Sequence, residues 1–89
     1  MPKYRILISR RADKFLFNLQ IELRRRILEE IADFKNFPFI TMHHDLAKLR
    51  GKEGYYRLRM GGIRVILKID KNARTIIVEK ISYRERAYE

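Results

Sequence analysis

YYRLRMGGIRVILKID, residues 55–70, is two strand-like runs around a glycine pair. Gly61-Gly62 between alternating runs is a hairpin signal, because a residue without a Cβ takes positive φ at no steric cost. A two-residue loop also sets the register. Met60 is predicted to lie opposite Ile63, Arg59 opposite Arg64, Leu58 opposite Val65 and Tyr56 opposite Leu67. Side chains alternate along a strand. Tyr56, Leu58, Met60, Ile63, Val65 and Leu67 therefore share a core face, and Arg57, Arg59, Arg64 and Lys68 share the opposite one.

The rest of the fold is read outward from this hairpin. Downstream, the turn DKNAR leads into a further strand over residues 75–82. At the other end, residues 3–9 alternate, with Tyr4, Ile6 and Ile8 on one side and Arg5, Leu7 and Ser9 on the other, again a strand pattern. Ser9 offers an N-cap for a short helix over 10–18 that turns Phe15, Leu16 and Leu19 inward. A second helix is predicted over 21–35, where Leu23, Ile27, Ile31 and Phe34 recur at helical spacing until Asn36 and Pro38 end it. Residues 37–54 read as a loop. The order β-α-α-β-β-β predicts a single α+β domain over 1–89, with a helical hairpin packed on one face of a small, mainly antiparallel four-stranded sheet.

Composition narrows the function. The 89 residues suffice for one core, and a hydrophobic fraction of 46% is that of a globular domain. No cysteine is present, which removes disulfides, thiolate metal sites and cysteine nucleophiles and favours a reducing, cytoplasmic setting. The start MPKYRILISRR is broken by charges and is not a signal-peptide pattern. No apolar run approaches the roughly 20 residues needed to span a bilayer, so no membrane partner is expected.

Charge is the sharper clue. Lys and Arg total 21 against 11 acids, a net +10. Residues 46–69 hold Lys48, Arg50, Lys52, Arg57, Arg59, Arg64 and Lys68 against the single acid Glu53, so +6 of the charge sits in one segment. Such concentration points to a polyanion. Two arginines directly across a strand pair repel, at a cost of roughly a fraction of a kcal/mol. Folding gives no reason for that placement, whereas an anion on the face converts repulsion into bidentate binding. The end of the chain, SYRERAYE, interleaves Tyr83 and Tyr88 with Arg84 and Arg86, a composition suited to base stacking with phosphate contact.

Other groups carry less. His43-His44-Asp45 has no further ligand at metal spacing, and adjacent side chains on a loop diverge, so these read as surface or packing residues. Arg24-Arg25-Arg26 with Glu22, Glu29 and Glu30 fits a solvated helix face with pairs at helical spacing.

Taken in order, KLRG (48–51), YRLR (56–59), GGIRVIL (61–67) and YRERAY (83–88) resemble the RelE branch of the RelE/ParE toxin superfamily over nearly the whole chain. The resemblance implies a ribosome-dependent endoribonuclease that cuts messenger RNA in the decoding site. It also implies a toxin neutralised by a cognate acidic, RelB-like antitoxin in a hetero-oligomeric complex. By position, Arg50 matches the basic residue of the KLRG loop, and Arg57 and Arg59 stand where the best-known member has two lysines. Arg64 matches the arginine after the hairpin, Arg84 the first arginine of the terminal motif and Tyr88 the terminal tyrosine. The catalytic set implied is Arg57, Arg59, Arg64, Arg84 and Tyr88, with Lys48, Arg50, Lys52, Lys68 and Arg86 as RNA- or ribosome-binding residues. No metal or cofactor is implied. Phe37, Phe39, Ile40 and Met42 are candidates for core or for antitoxin contact.

The residues suit part of this chemistry. Arginines stabilise the extra negative charge of a phosphorane well. They are poor bases, since their pKa exceeds about 12. Tyr88, with an ordinary pKa of about 10, is a base only if Arg84 and Arg86 lower it, which leaves the base open. Weak acid-base groups fit a reaction in which the ribosome aligns the RNA. The alternatives are a ParE-like inhibitor of DNA gyrase without nuclease activity, and a basic nucleic-acid-binding module.

Overall fold

A computed structural model describes residues 3–83. Its elements run β1 (Arg5–Ile8), α1 (Arg10–Phe17), α2 (Ile21–Asp33), β2 (Asp45–Lys48), β3 (Tyr55–Met60), β4 (Ile63–Asp70) and β5 (Thr75–Tyr83), with short 3-10 turns at Phe34–Asn36 and Thr41–His43. The hairpin register follows from its turn: Arg59 lies opposite Arg64, Met60 opposite Ile63, Leu58 opposite Val65 and Tyr56 opposite Leu67. Of the two turn glycines, Gly61 takes positive φ, at 55°, and Gly62 does not. That excludes a type I′ turn, which needs it at both positions, and fits type II′.

The sheet has five strands in the order β1-β5-β4-β3-β2, with β1 parallel to β5 and the other pairs antiparallel. The four-stranded expectation is thus short by one, and the segment read as a loop over 37–54 contains β2. Asp45–Lys48 is only four residues, with Leu46 as its single large apolar side chain, so no alternation marks it. It forms because β3 offers a free edge, and a short edge strand is a common way to cover one. The second helix ends at Asp33, its expected last turn tightening into the 3-10 turn Phe34–Asn36.

Both helices pack on one face of the sheet. Ala12, Leu16, Leu19, Ile27, Ile31 and Phe34 meet Leu58, Val65, Leu67, Ile76 and Val78 in one cluster, and none of the buried side chains among the described residues is polar. Each fully buried aliphatic side chain contributes roughly 1.5–3 kcal/mol.

Two polar residues fix how the helices sit. The Ser9 hydroxyl accepts from the Ala12 N–H at 3.1 Å, capping α1, and donates to the Glu79 carbonyl at 2.7 Å, tying that cap to β5. Ser9→Ala loses both bonds and is expected to cost about 1–2 kcal/mol in a urea melt. Arg24 departs from the solvated face expected of the arginine triplet. Its guanidinium donates to the carbonyls of Leu16, Phe17 and Leu19 at 2.9, 3.2 and 3.2 Å. A cation satisfying the last carbonyls of α1 holds the two helices in their hairpin. Arg25 and Arg26 remain exposed.

Candidate nucleic-acid interface

Alternation along β3 and β4 turns Arg57, Arg59 and Arg64 away from the helices, on a face that no helix covers among the described residues. Strand pairing arranges that face in rows. One row runs Asp45, Arg59, Arg64, Ser82 across β2, β3, β4 and β5. The next runs Ala47, Arg57, Ile66, Lys80. Lys68 and Ile77 follow, opposite Tyr55 and Leu7.

An irregularity in β5 makes the rows possible. The β4–β5 register shifts between Ile66 and Leu67, so that Ile66 faces Lys80 while Leu67 faces Val78. Glu79 is the extra residue. Strict alternation from Ile76 and Val78 would drive Lys80 into the core; the bulge instead buries Ile81 and turns Lys80 and Ser82 to the arginine face. Reading the sequence missed this, although the run IIVEKIS carries the signal: its apolar alternation slips by one residue at Glu79-Lys80.

Arg57, Arg59 and Arg64 are half-buried despite the open face. Ala47 and Ser82, their small neighbours across the ladders, crowd them little. The Nε of Arg59 is buried with no hydrogen-bond acceptor among the described residues. Asp45, its cross-strand neighbour, does not come within ion-pair distance, taken as 4.0 Å. A desolvated donor on a charged group is costly until an acceptor arrives. A phosphate oxygen is such an acceptor, and guanidinium forks on facing strands match phosphate oxygens bidentately.

The remaining site residues of the sequence divide. Lys68 lies further along the arginine face, beside Tyr55. Lys48 pairs with buried Tyr56 and so points toward the helix side of the sheet rim, not onto the arginine face. Arg50 and Lys52 are exposed in the connection between β2 and β3. Arg84, Arg86 and Tyr88 lie outside the described residues. His44 is nearly buried, its ring 5.1 Å from that of Phe34 and its Nε2 3.4 Å from an Asp33 carboxylate oxygen, without hydrogen-bond geometry. His43 is exposed. No helix among the described residues is long and apolar enough to cross a membrane.

A helical hairpin backing a five-stranded sheet whose open face carries paired arginines defines a class of small basic α+β protein, and the comparisons give that class its family. No family model matches the chain. The protein named RelE1 of Methanocaldococcus jannaschii is 33% identical over 87 residues, covering 98% of this chain and 97% of its own. Among solved structures, the archaeal RelE–RelB complex from Pyrococcus horikoshii matches with a TM-score of 0.82 at 31% identity, over 96% of this chain and 99% of the matched one. The RelB–RelE antitoxin–toxin complex from Methanococcus jannaschii matches with a TM-score of 0.75 at 26% identity, over 92% and 94%. The chain belongs to the RelE toxin family.

Proposed function

We propose that this protein is the toxin of a type II toxin–antitoxin pair and acts as a ribosome-dependent endoribonuclease on messenger RNA. The observation that carries the reading is the cross-strand register of Arg59 and Arg64, with Arg57 one row away on the same open face. Cleavage proceeds by attack of a 2′-hydroxyl on the adjacent phosphate. A phosphorane forms with extra negative charge, and the 5′-oxygen departs. Arg64 and Arg59 meet that charge from two strands, and electrostatic stabilisation of this kind is usually the largest catalytic term. Arg84 and Tyr88 complete the set as a further phosphate ligand and candidate base. Arginines do not remove the proton themselves, so the reaction depends on the ribosome holding the RNA in line. Arg50, Lys52, Lys68 and Arg86 contact RNA backbone around the site, whereas Lys48, on the other side of the sheet rim, is left out of it.

The partner is an acidic antitoxin. A net charge of +10 favours a partner that offsets part of it. Relatives of this chain were solved as RelE–RelB complexes, which supports a hetero-oligomeric complex here.

Expression of the chain alone is expected to arrest growth, and cut messages should map only where ribosomes are translating. Co-expression of the antitoxin encoded beside it should restore growth. Arrest with intact messages and trapped gyrase would instead assign the protein to ParE-like inhibition. Messages that stay intact with no arrest at all would leave a basic binding module.

A further inference from the structure

A second basic cluster lies further along the arginine face, beyond the arginine rows. Where β3 begins and β4 ends, a groove of about 800 Å³ is lined by Lys52, Tyr55, Lys68 and Lys71, with Glu53 and Asp70 at its wall. The Lys52 Nζ lies 5.1 Å from the centroid of the Tyr55 ring and the Lys68 Nζ 5.6 Å from it. Ammonium groups at that distance from a ring are drawn by its negative face. Neither carboxylate neutralises them. Asp70 accepts the Ala73 N–H at 3.0 Å to close the turn, and none of the three lysines meets an acid within 4.0 Å among the described residues.

Tyr55 is half-buried at the start of β3, on the same face as Arg57 and Arg59. Arg59 is four residues further along that strand, about 13 Å at the strand rise. One phosphate group cannot reach both clusters. A strand of nucleic acid lying along β3 can, with one phosphate at the arginine row and a later nucleotide at the tyrosine.

We propose that the Lys52–Tyr55–Lys68 cleft is a single-stranded RNA subsite, in which a base stacks on the Tyr55 ring and the lysines take the flanking phosphates. The ring is what favours RNA over an acidic protein. Lysines alone serve carboxylates, whereas an aromatic face between ammonium groups matches a base between phosphates. The ring gathers the two ammonium groups while the cleft is empty, and an incoming base releases them toward the backbone. The subsite shares with the proposed function only the premise that the polyanion is RNA, and it requires no cleavage.

Its test is therefore a binding measurement on the full chain, by fluorescence anisotropy with a fluorescein-labelled oligouridylate. Tyr55→Ala should weaken binding at least about fivefold, the change that corresponds to roughly 1 kcal/mol of stacking, while Tyr55→Phe binds as the parent does. The double variant Lys52→Ala/Lys68→Ala, at two exposed positions that folding does not need, should reduce the slope of log affinity against log salt by roughly 1.4. A duplex of the same length should be indifferent to Tyr55→Ala. Unchanged affinity in Tyr55→Ala together with an unchanged salt slope in the lysine pair overturns the subsite. So does an equal loss for duplex and single strand, or displacement of the oligouridylate by polyglutamate of equal charge as effectively as by RNA. Because no arm reads cleavage, a failed nuclease reading leaves this result interpretable, and the reverse also holds.

Discussion

Arg64→Ala is expected to slow cleavage on programmed ribosomes by on the order of 10²-fold or more, with ribosome binding retained. That is the order of effect when one preorganised transition-state donor is removed. The physical reason is placement. Arg64 stands on β4, flanked on both sides by paired strands, with Arg59 on one side and Ser82 on the other. Its backbone is fixed by two ladders, so its side chain leaves the sheet from a set point on the arginine face. Arg50 is the contrast. It is exposed in the connection between β2 and β3, without a ladder to fix it. Arg50→Ala should weaken ribosome binding and flatten its salt dependence by about one phosphate contact, while the rate at saturation stays near that of the parent. Single-turnover rates with binding measured in parallel separate the two. If Arg64→Ala cuts at the parent rate, the strand face is a docking surface and the catalytic groups are elsewhere.

Phe34→Ala should be the most damaging core truncation, costing about 3–5 kcal/mol by urea denaturation. The ring is 1% exposed and sits where α2 tightens into its 3-10 turn. It joins the helix face of Ile27 and Ile31 to the inner side of the sheet and also meets the His44 ring, tilted at 44°, just before β2. Removing it opens a cavity that helix, sheet and the entry to β2 all border. For a domain of this size, such a loss is a large part of the usual 5–15 kcal/mol of stability, taken as an approximate range. Phe34→Leu keeps most of the volume and should cost far less. A loss under about 1 kcal/mol in the alanine variant would mean that the helical hairpin does not depend on this contact.

The hairpin at residues 55–70 was fully legible, because a two-glycine turn leaves one register and alternation then assigns every side chain to a face. The helices were legible for the same kind of reason: Ile27, Ile31 and Phe34 repeat at the spacing of one helical stripe, and Ser9 caps as its side chain allows. What escaped depended on contacts distant in sequence. β2 exists through its ladder with β3, and four residues with one large apolar side chain leave no pattern to read. Arg24 looked like its neighbours in the triplet; only the position of the end of α1 turns it inward. Of the site, the sequence placed Arg57, Arg59 and Arg64 together but did not separate Lys48, which points the other way, nor bring in Lys80 and Ser82, which need the bulge. The hairpin register already sets Tyr55 opposite Lys68, but the approach of Lys52 to the same ring comes from the turn before β3, which no local pattern marks. The expected roles of Arg84, Arg86 and Tyr88 fall outside the described residues.

The central claim is that the arginine face cuts RNA only when the ribosome presents it. The direct measurement is the single-turnover rate on one end-labelled message, offered naked and then bound in the decoding site of a programmed ribosome, with purified toxin in excess. The account predicts a defined cut on the ribosome and none on the naked message over the same interval, since the chain supplies charge stabilisation and leaves alignment to its host. Equal cutting of both, or no cutting of either while the toxin is bound, would contradict it.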